Sequence, residues 1–397
     1  MTLPEQTPSR VNTGFEAMLS VNQFLPKYQE WLRHAEGNAC DFAFGNPHEM
    51  PLPAFVHALE KASVPLNKDW YAYKFNEPEA VTTVAESLHR LFNQPFEPED
   101  IFMTNGATGA LNVIMNTVVG NGDEVIFNSP PWFFYEGMIA NNGGIPVRVK
   151  LDPNSFDLDL VAIEKAITAK TRLIIVNSPH NPTGKIYPPA TLQALANLLT
   201  RASQQHGRTI YLLSDEAYRR IIYDGGIYSS PTSFYSHSFM VYTYGKTLLT
   251  PGQRLGYIAL PPQMPDREAM RTAVFSTQIL SGFSIVNALL QHALPDIEPL
   301  CIDIEHLQYK RDWLVSALRE GGYDVHVPEG TFYLLPRSPI SDDVAFTDLL
   351  ATEGVLCLPG KVVEMPGYFR ISLTANDKMI EQAIPKFAAI FAKASGS

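Results

Sequence analysis

The stretch SFMVYTYGKTLLTPGQRLGYIAL, residues 238–260, begins and ends in short apolar runs, Ser238–Tyr242 and Leu255–Leu260. Runs of this length, bounded by turn residues, read as buried strands. Between them stand one lysine, Lys246, and, eight residues on, one arginine, Arg254. Taken alone, a lysine at this place reads as a surface residue; its order with the other motifs is what gives it a task. The Gly-Lys-Thr at 245–247 is not a nucleotide-binding loop: that pattern needs glycine at 240, where this chain has Met240.

Working outward, four more apolar runs precede this stretch: Glu124–Asn128, Pro146–Val149, Arg172–Asn177 and Thr209–Ser214. Helical patterns at Thr108–Val118, Leu158–Ala166 and Pro189–His206 alternate with them. The alternation predicts an α/β fold, a mainly parallel sheet flanked by helices. The polar residues stand just past the ends of these runs. Trp132 follows EVIFNSPP, Asn181 follows RLIIVN, Asp215 follows TIYLLS and Lys246 follows SFMVYTYG. In open α/β sheets the ligand crevice lies outside the carboxyl ends of the strands.

That set has a chemical meaning. A lysine in an apolar site can form a Schiff base. An aspartate can hold a protonated ring nitrogen, and an aromatic face can stack on a flat ring. Arg254 can grip a phosphate. Gly106, Ala107 and Thr108, at the start of a helical pattern, offer backbone N–H groups to an anion. Together these residues describe a site for pyridoxal 5′-phosphate (PLP).

Composition limits the alternatives. A chain of 397 residues suggests two or three structural units. Its 30 basic and 41 acidic residues leave a net charge of −11, which argues against nucleic acid or an anionic membrane as partner. Charged residues are only 18%, which suits a large buried interior or an oligomer. Cys40, Cys301 and Cys357 are widely spaced and form no CxxC, so a disulfide framework or zinc site is not expected and a reducing compartment is. The histidines show no metal-binding spacing, and no metal is expected. No apolar run reaches the ~18 residues of a membrane span, and the N-terminus has no signal-like apolar segment. The expected location is the cytoplasm.

The pattern changes near Ser284. A long helical stretch, Val286–Glu320, is followed by strand-like Tyr323–Val327, Thr331–Leu335 and Tyr368–Ser372, then a closing helix, Lys378–Ala394. The first 45 residues read as an arm plus a helix, Phe24–Ala35. The expected organisation is an N-terminal arm and part of the small domain at 1–45, a large cofactor-binding domain at 46–283 and a small α+β domain at 284–397.

Five stretches occur in a familiar order: TNGATGAL (104–111), SPHNPTGKIYP (178–188), SDEAYRRIIYD (214–224), YGKTLLTPGQRLGYIAL (244–260) and YFRISLT (368–374). In these the chain resembles the class I/II aminotransferases of PLP fold type I, the aspartate aminotransferase superfamily, over nearly its whole length. The resemblance implies that Lys246 carries the cofactor as an aldimine and shuttles the proton. It implies that Asp215 pairs with the ring nitrogen, and that Tyr218 and Asn181 bind the ring hydroxyl. Arg254, Thr243, Gly106, Ala107 and Thr108 would hold the phosphate, and Trp132, or its neighbour Phe133, would stack on the ring. Arg370, with Asn181 and Gly45, would bind the substrate, Arg370 taking its α-carboxylate. Tyr71, or Tyr73, would reach the phosphate of a neighbouring subunit in a homodimer.

Three positions depart from the family pattern. Gly245 stands where serine is common, and Asn76 where a glycine is usual. The stretch STQILSGFS (276–284) lacks the second arginine of members specific for dicarboxylic acids. The expected reaction moves an amino group from a neutral or aromatic L-amino acid to a 2-oxo acid. A PLP-dependent β-eliminating C–S lyase would share almost every residue named. A non-catalytic PLP-binding regulator is less expected, because no basic recognition helix precedes TNGATG.

Overall fold

A computed structural model describes Pro4, residues 6–35 and residues 37–396. Helices α1 (Ser9–Ala17) and α2 (Leu19–His34) come first, then a two-residue strand, β1 (Cys40–Asp41). Helices α3 (Pro53–Ala62) and α4 (Pro78–Phe92) lead into β2 (Ile101–Thr104), α5 (Gly106–Val118), β3 (Glu124–Ser129), α6 (Tyr135–Asn141) and β4 (Ile145–Lys150). Next come α7 (Leu160–Ala166), β5 (Thr171–Asn177), α8 (Pro189–His206), β6 (Tyr211–Asp215), β7 (Ser238–Thr243), the single turn α9 (Tyr244–Thr247) and β8 (Gly256–Ala259). The remainder is α10 (Arg267–Leu280), α11 (Ala288–Ile297), α12 (Ile304–Glu320), β9 (Tyr333–Leu334), α13 (Asp343–Thr352), β10 (Val355–Leu356), β11 (Leu358–Pro359), β12 (Phe369–Ser372) and α14 (Asp377–Ser395).

Seven strands form one sheet in the order β2-β8-β7-β6-β5-β3-β4. Strand β8 pairs antiparallel with both its neighbours, and the other pairs are parallel. Strand residues alternate between faces, so each run feeds two cores. Leu173, Ile175, Leu213 and Val241 pack with Leu111 and Ile114 of α5. Ile174, Val176 and Leu212 pack with Leu192, Leu195 and Leu199 of α8. Burial on both faces explains why these strands read as continuous apolar runs. The parallel strands therefore share one carboxyl edge, where Ser129, Asn177, Asp215 and Thr243 end their strands.

The C-terminal region differs from its sequence reading in three places. The stretch expected as one helix over Val286–Glu320 is two, α11 and α12. Pro299 has no N–H to give to a continuing helix, and α11 ends at Ile297, with Glu298 as its C-cap. Tyr323–Val327 forms no strand, only an isolated bridge from Val325 to Pro336, because proline cannot extend a ladder. Thr331–Leu335 shortens to β9, with Thr331 at a φ of 67°. Helix α11 shares its core, through Leu290 and Leu294, with Met103 of β2 and Met240 of β7, so the change of pattern at Ser284 precedes a helix that packs on the large sheet. β1 pairs in parallel with β10, joining the N-terminal segment to the C-terminal elements. Strand β9 lies antiparallel beside β12, which carries Arg370.

Candidate active site

A cavity opens at the carboxyl edge of the sheet. It is lined by Ala107, Thr108, Trp132, Asn181, Asp215, Tyr218, Thr243, Lys246 and Arg254, among others. Helix α5 points its N-terminus at one end. Its N-cap, Asn105, makes no side-chain cap, so the first N–H groups stay open to an anion. Gly106 has a φ of +75°, and a Cβ there would stand 2.7 Å from Arg254 Nη2. At that φ any other side chain is strained, and its Cβ would push the guanidinium aside. Arg254 donates to the Pro251 carbonyl at 2.8 Å, and among the described residues no carboxylate pairs with it. Burial holds its pKa below the usual arginine value. An unpaired, partly desolvated arginine beside a helix N-terminus suits a phosphate. Thr243 Oγ1 donates to the Leu255 carbonyl at 3.2 Å.

At the cavity floor Asp215 ends β6 and is buried. Tyr135 donates a hydrogen bond to its Oδ2, and the Ala217 N–H donates to Oδ1 at 3.2 Å. Burial pushes the Asp215 carboxyl up from its ordinary value, against the pull of Tyr135, the Ala217 N–H and Lys246. Asn177 donates to the Asp215 carbonyl at 3.0 Å and accepts from the Asn181 N–H at 2.8 Å, tying two strand ends together. Lys246, in α9, places Nζ 5.6 Å from the ring centres of both Tyr218 and Phe332. Trp132 meets the Tyr135 ring edge-on at 5.3 Å, and Phe133 packs instead with the cluster of Val21 and Phe24.

Arg370 adjoins the cavity through Asn181. It is buried, donating from Nη1 to Asn181 Oδ1 at 3.1 Å and from Nη2 to the Ala43 carbonyl at 3.2 Å. Its Nε is buried without a partner. A guanidinium with an open edge is a bidentate seat for a carboxylate. At Gly45 a Cβ would meet the Phe332 ring at 2.6 Å and the Tyr333 hydroxyl oxygen at 2.8 Å.

The family description "Aminotransferase class I and II" matches residues 38–387. The chain belongs to the class I and II aminotransferase family. The aspartate/prephenate aminotransferase of Thermus thermophilus is 30% identical over 88% of this chain and 90% of its own. The methionine aminotransferase of Escherichia coli is 32% identical over 70% and 72%. An aminotransferase crystal structure from Eubacterium rectale superposes with a TM-score of 0.86 at 28% identity, covering 99% of both chains. This aminotransferase uses PLP, the cofactor of its family. The residues present fit the group. A Cβ at Gly106 would crowd the Arg254 guanidinium at the helix N-terminus, Arg254 has no carboxylate partner among the described residues, and Asp215 is a buried carboxylate that could face a cationic ring nitrogen.

Tyr71, expected to serve a neighbouring subunit, lies outside the cavity. Tyr71 is exposed, donates to the Ser63 carbonyl at 2.5 Å, and sits with Tyr73 and residues 285–289 beside an open surface groove. Asn76 has a structural task instead: its Oδ1 accepts from the Met103 N–H at 2.8 Å, on the edge strand β2. At Gly245 a Cβ would stand 3.1 Å from Pro251 Cα, so a side chain there is tight. The sequence reading missed Asn177, Tyr135, the Ala43 carbonyl and Tyr333. Asn177 carried the signal that marks Asp215, a polar residue ending an apolar run. Tyr135 follows Trp132 by three residues and opens α6, a weak signal. A backbone carbonyl carries none.

Proposed function

We propose that this aminotransferase takes the amino group of a neutral or aromatic L-amino acid and gives it to a 2-oxo acid, with residue roles set by the cavity and by Arg370 beside it. The observation that carries the substrate class is the lining. Among the described residues it holds no lysine or arginine apart from Lys246 and Arg254, and Arg370 adjoins it. A side-chain carboxylate would enter without a counter-cation, at a desolvation cost no other group offsets. The methionine enzyme among the relatives supports this reading; those named for aspartate and prephenate make dicarboxylic acids the comparison to test.

The phosphate end is held by the α5 N-terminus, Thr243 and Arg254. Trp132 offers a face to the ring, and Tyr218 and Asn181 reach its hydroxyl; Asn181 Oδ1 is taken by Arg370, leaving Nδ2 for that task. Asp215 keeps a proton on the ring nitrogen by remaining ionised beside it. When bound, PLP supplies the electron sink that accepts the pair left as Cα loses its proton. Arg370 seats the α-carboxylate, with Gly45 making room beside it, and so fixes the direction of the Cα–H bond. Lys246 Nζ takes the Cα proton and redelivers it as a general acid.

A homodimer follows if Tyr71 serves the neighbouring subunit. The exposed Tyr71, Tyr73, Leu280 and Ile285 suit burial by a second copy. A cytoplasmic location agrees with three free cysteines and with the absence, among the described residues, of a helix long and apolar enough to cross a membrane. The test is a survey of single amino acids with a common 2-oxo acid, following 2-oxo acid and ammonia together. Phenylalanine, leucine or methionine should give 2-oxo acid without ammonia and outpace aspartate. Aspartate as the best donor would overturn the substrate class. Free ammonia in place of an aminated acceptor would overturn the transfer reaction in favour of a lyase.

A further inference from the structure

We propose that Tyr333 is a positioning residue, whose ring holds the Arg370 guanidinium flat where the substrate carboxylate binds. This rests on the reading of Arg370 as the carboxylate seat. It adds a residue that none of the five sequence motifs contains.

The geometry starts from sheet register. Tyr333 on β9 stands opposite Ser372 on β12, in an antiparallel pair. Arg370, two residues from Ser372, shares its face and is a diagonal neighbour of Tyr333. The guanidinium carbon lies 4.0 Å from the Tyr333 ring centre. Arg370 also makes two hydrogen bonds, to Asn181 Oδ1 and the Ala43 carbonyl. Two bonds fix two nitrogens but leave the plane free to tilt about the line between them. A flat ring against one face removes that freedom. Both side chains are buried, and among the described residues Arg370 has no carboxylate partner. The ring is then the main electron-rich surface the cation meets, and desolvation strengthens such a contact.

The ring is itself held. Its hydroxyl lies against Gly45, where any side chain would displace it. The Tyr218 ring crosses it at 6.0 Å and 70°, and the two hydroxyls are hydrogen-bonding neighbours. Burial would raise the Tyr333 phenol, but Arg370, Lys246 and the Tyr218 hydroxyl draw it below its ordinary value, as expected for a phenol placed between the two cations of the site. Tyr333 thus touches the substrate-end arginine on one side and a cofactor-end tyrosine on the other.

The experiment uses the PLP-loaded protein and three variants, Tyr333→Leu, Tyr333→Phe and Arg370→Ala. The probe is 3-phenylpropionate, a carboxylic acid without an amino group, whose Kd is read from its effect on cofactor absorption. KM and kcat for a reacting amino acid are measured alongside. Tyr333→Leu should raise Kd and KM about 30-fold, the scale of a desolvated cation–π contact, with PLP loading retained and kcat less affected. Tyr333→Phe keeps the ring and should stay near the parent value. A PLP-loaded Tyr333→Leu protein with parent Kd, while Arg370→Ala binds weakly, overturns the proposal. If Tyr333→Leu does not fold, Tyr333→Phe decides: a loss there as large as that of Arg370→Ala shows that the ring face is not the agent. A parent-like Kd in Arg370→Ala would instead overturn the carboxylate-seat reading itself.

Discussion

His180 precedes Asn181, which holds Arg370, and it is buried. Its Nδ1 lies 2.9 Å from Thr183 Oγ1. Burial lowers its pKa to about 3, with only the Pro130 carbonyl pulling the other way. Folded, the ring stays neutral down to about pH 3; unfolded, it titrates near 6.5. Because the folded pKa lies below the unfolded one, the stability is complete above about pH 6.5 and is lost as the pH falls towards 3. At pH 5 the unfolded ring favours its protonated form about 30-fold and the folded ring does not, a difference of about 2 kcal/mol relative to pH 8. The assay is urea unfolding of the parent and His180→Asn at both pH values. Lost packing costs the variant the same at either pH, so the stability gap should shift by about 2 kcal/mol towards the variant at pH 5. A gap equal at both pH values would refute the neutral, buried histidine.

Three further outcomes follow from the site. Gly106→Ala places a methyl group against Arg254 and puts alanine at a left-handed φ, which costs about 1–2 kcal/mol before any clash; PLP affinity by fluorescence titration should fall about tenfold or more, and an unchanged affinity sinks the cradle. Tyr135→Phe removes a donor that stabilises the Asp215 carboxylate, so its pKa rises further and the acidic limb of the kcat/KM profile should move up by about one to two pH units, as the worth of a hydrogen bond to a charged group implies; a limb that stays in place removes Tyr135 from the site. Lys246→Ala should abolish any borohydride-reducible link to the cofactor and slow amino transfer by about 10²- to 10⁴-fold or more, and a reducible link that persists would assign the lysine role elsewhere.

What the sequence determined by itself is local. An apolar run followed by a polar residue marks both a buried strand and the site at its carboxyl end, so Asn181, Asp215 and Lys246 were legible in the chain alone. Gly106 was legible only together with the other motifs, because a glycine in such a place is by itself more often a plain helix start than an anion site. Its left-handed backbone and close approach to Arg254 supply the physical reason. The short helix-breaking effect of Pro299 was also in the sequence, yet the apolar period ran on past it and suggested one helix. Tertiary structure alone decided the rest. Arg370 meets Asn181 across 189 positions of chain, and Ala43 contributes a carbonyl that any residue would carry. Tyr135 and Tyr333 were not marked by any motif, because burial looks the same in sequence whether a hydroxyl packs idly or binds Asp215. Only sheet register and helix packing set which atoms of a buried side chain face the site, and no local pattern encodes that.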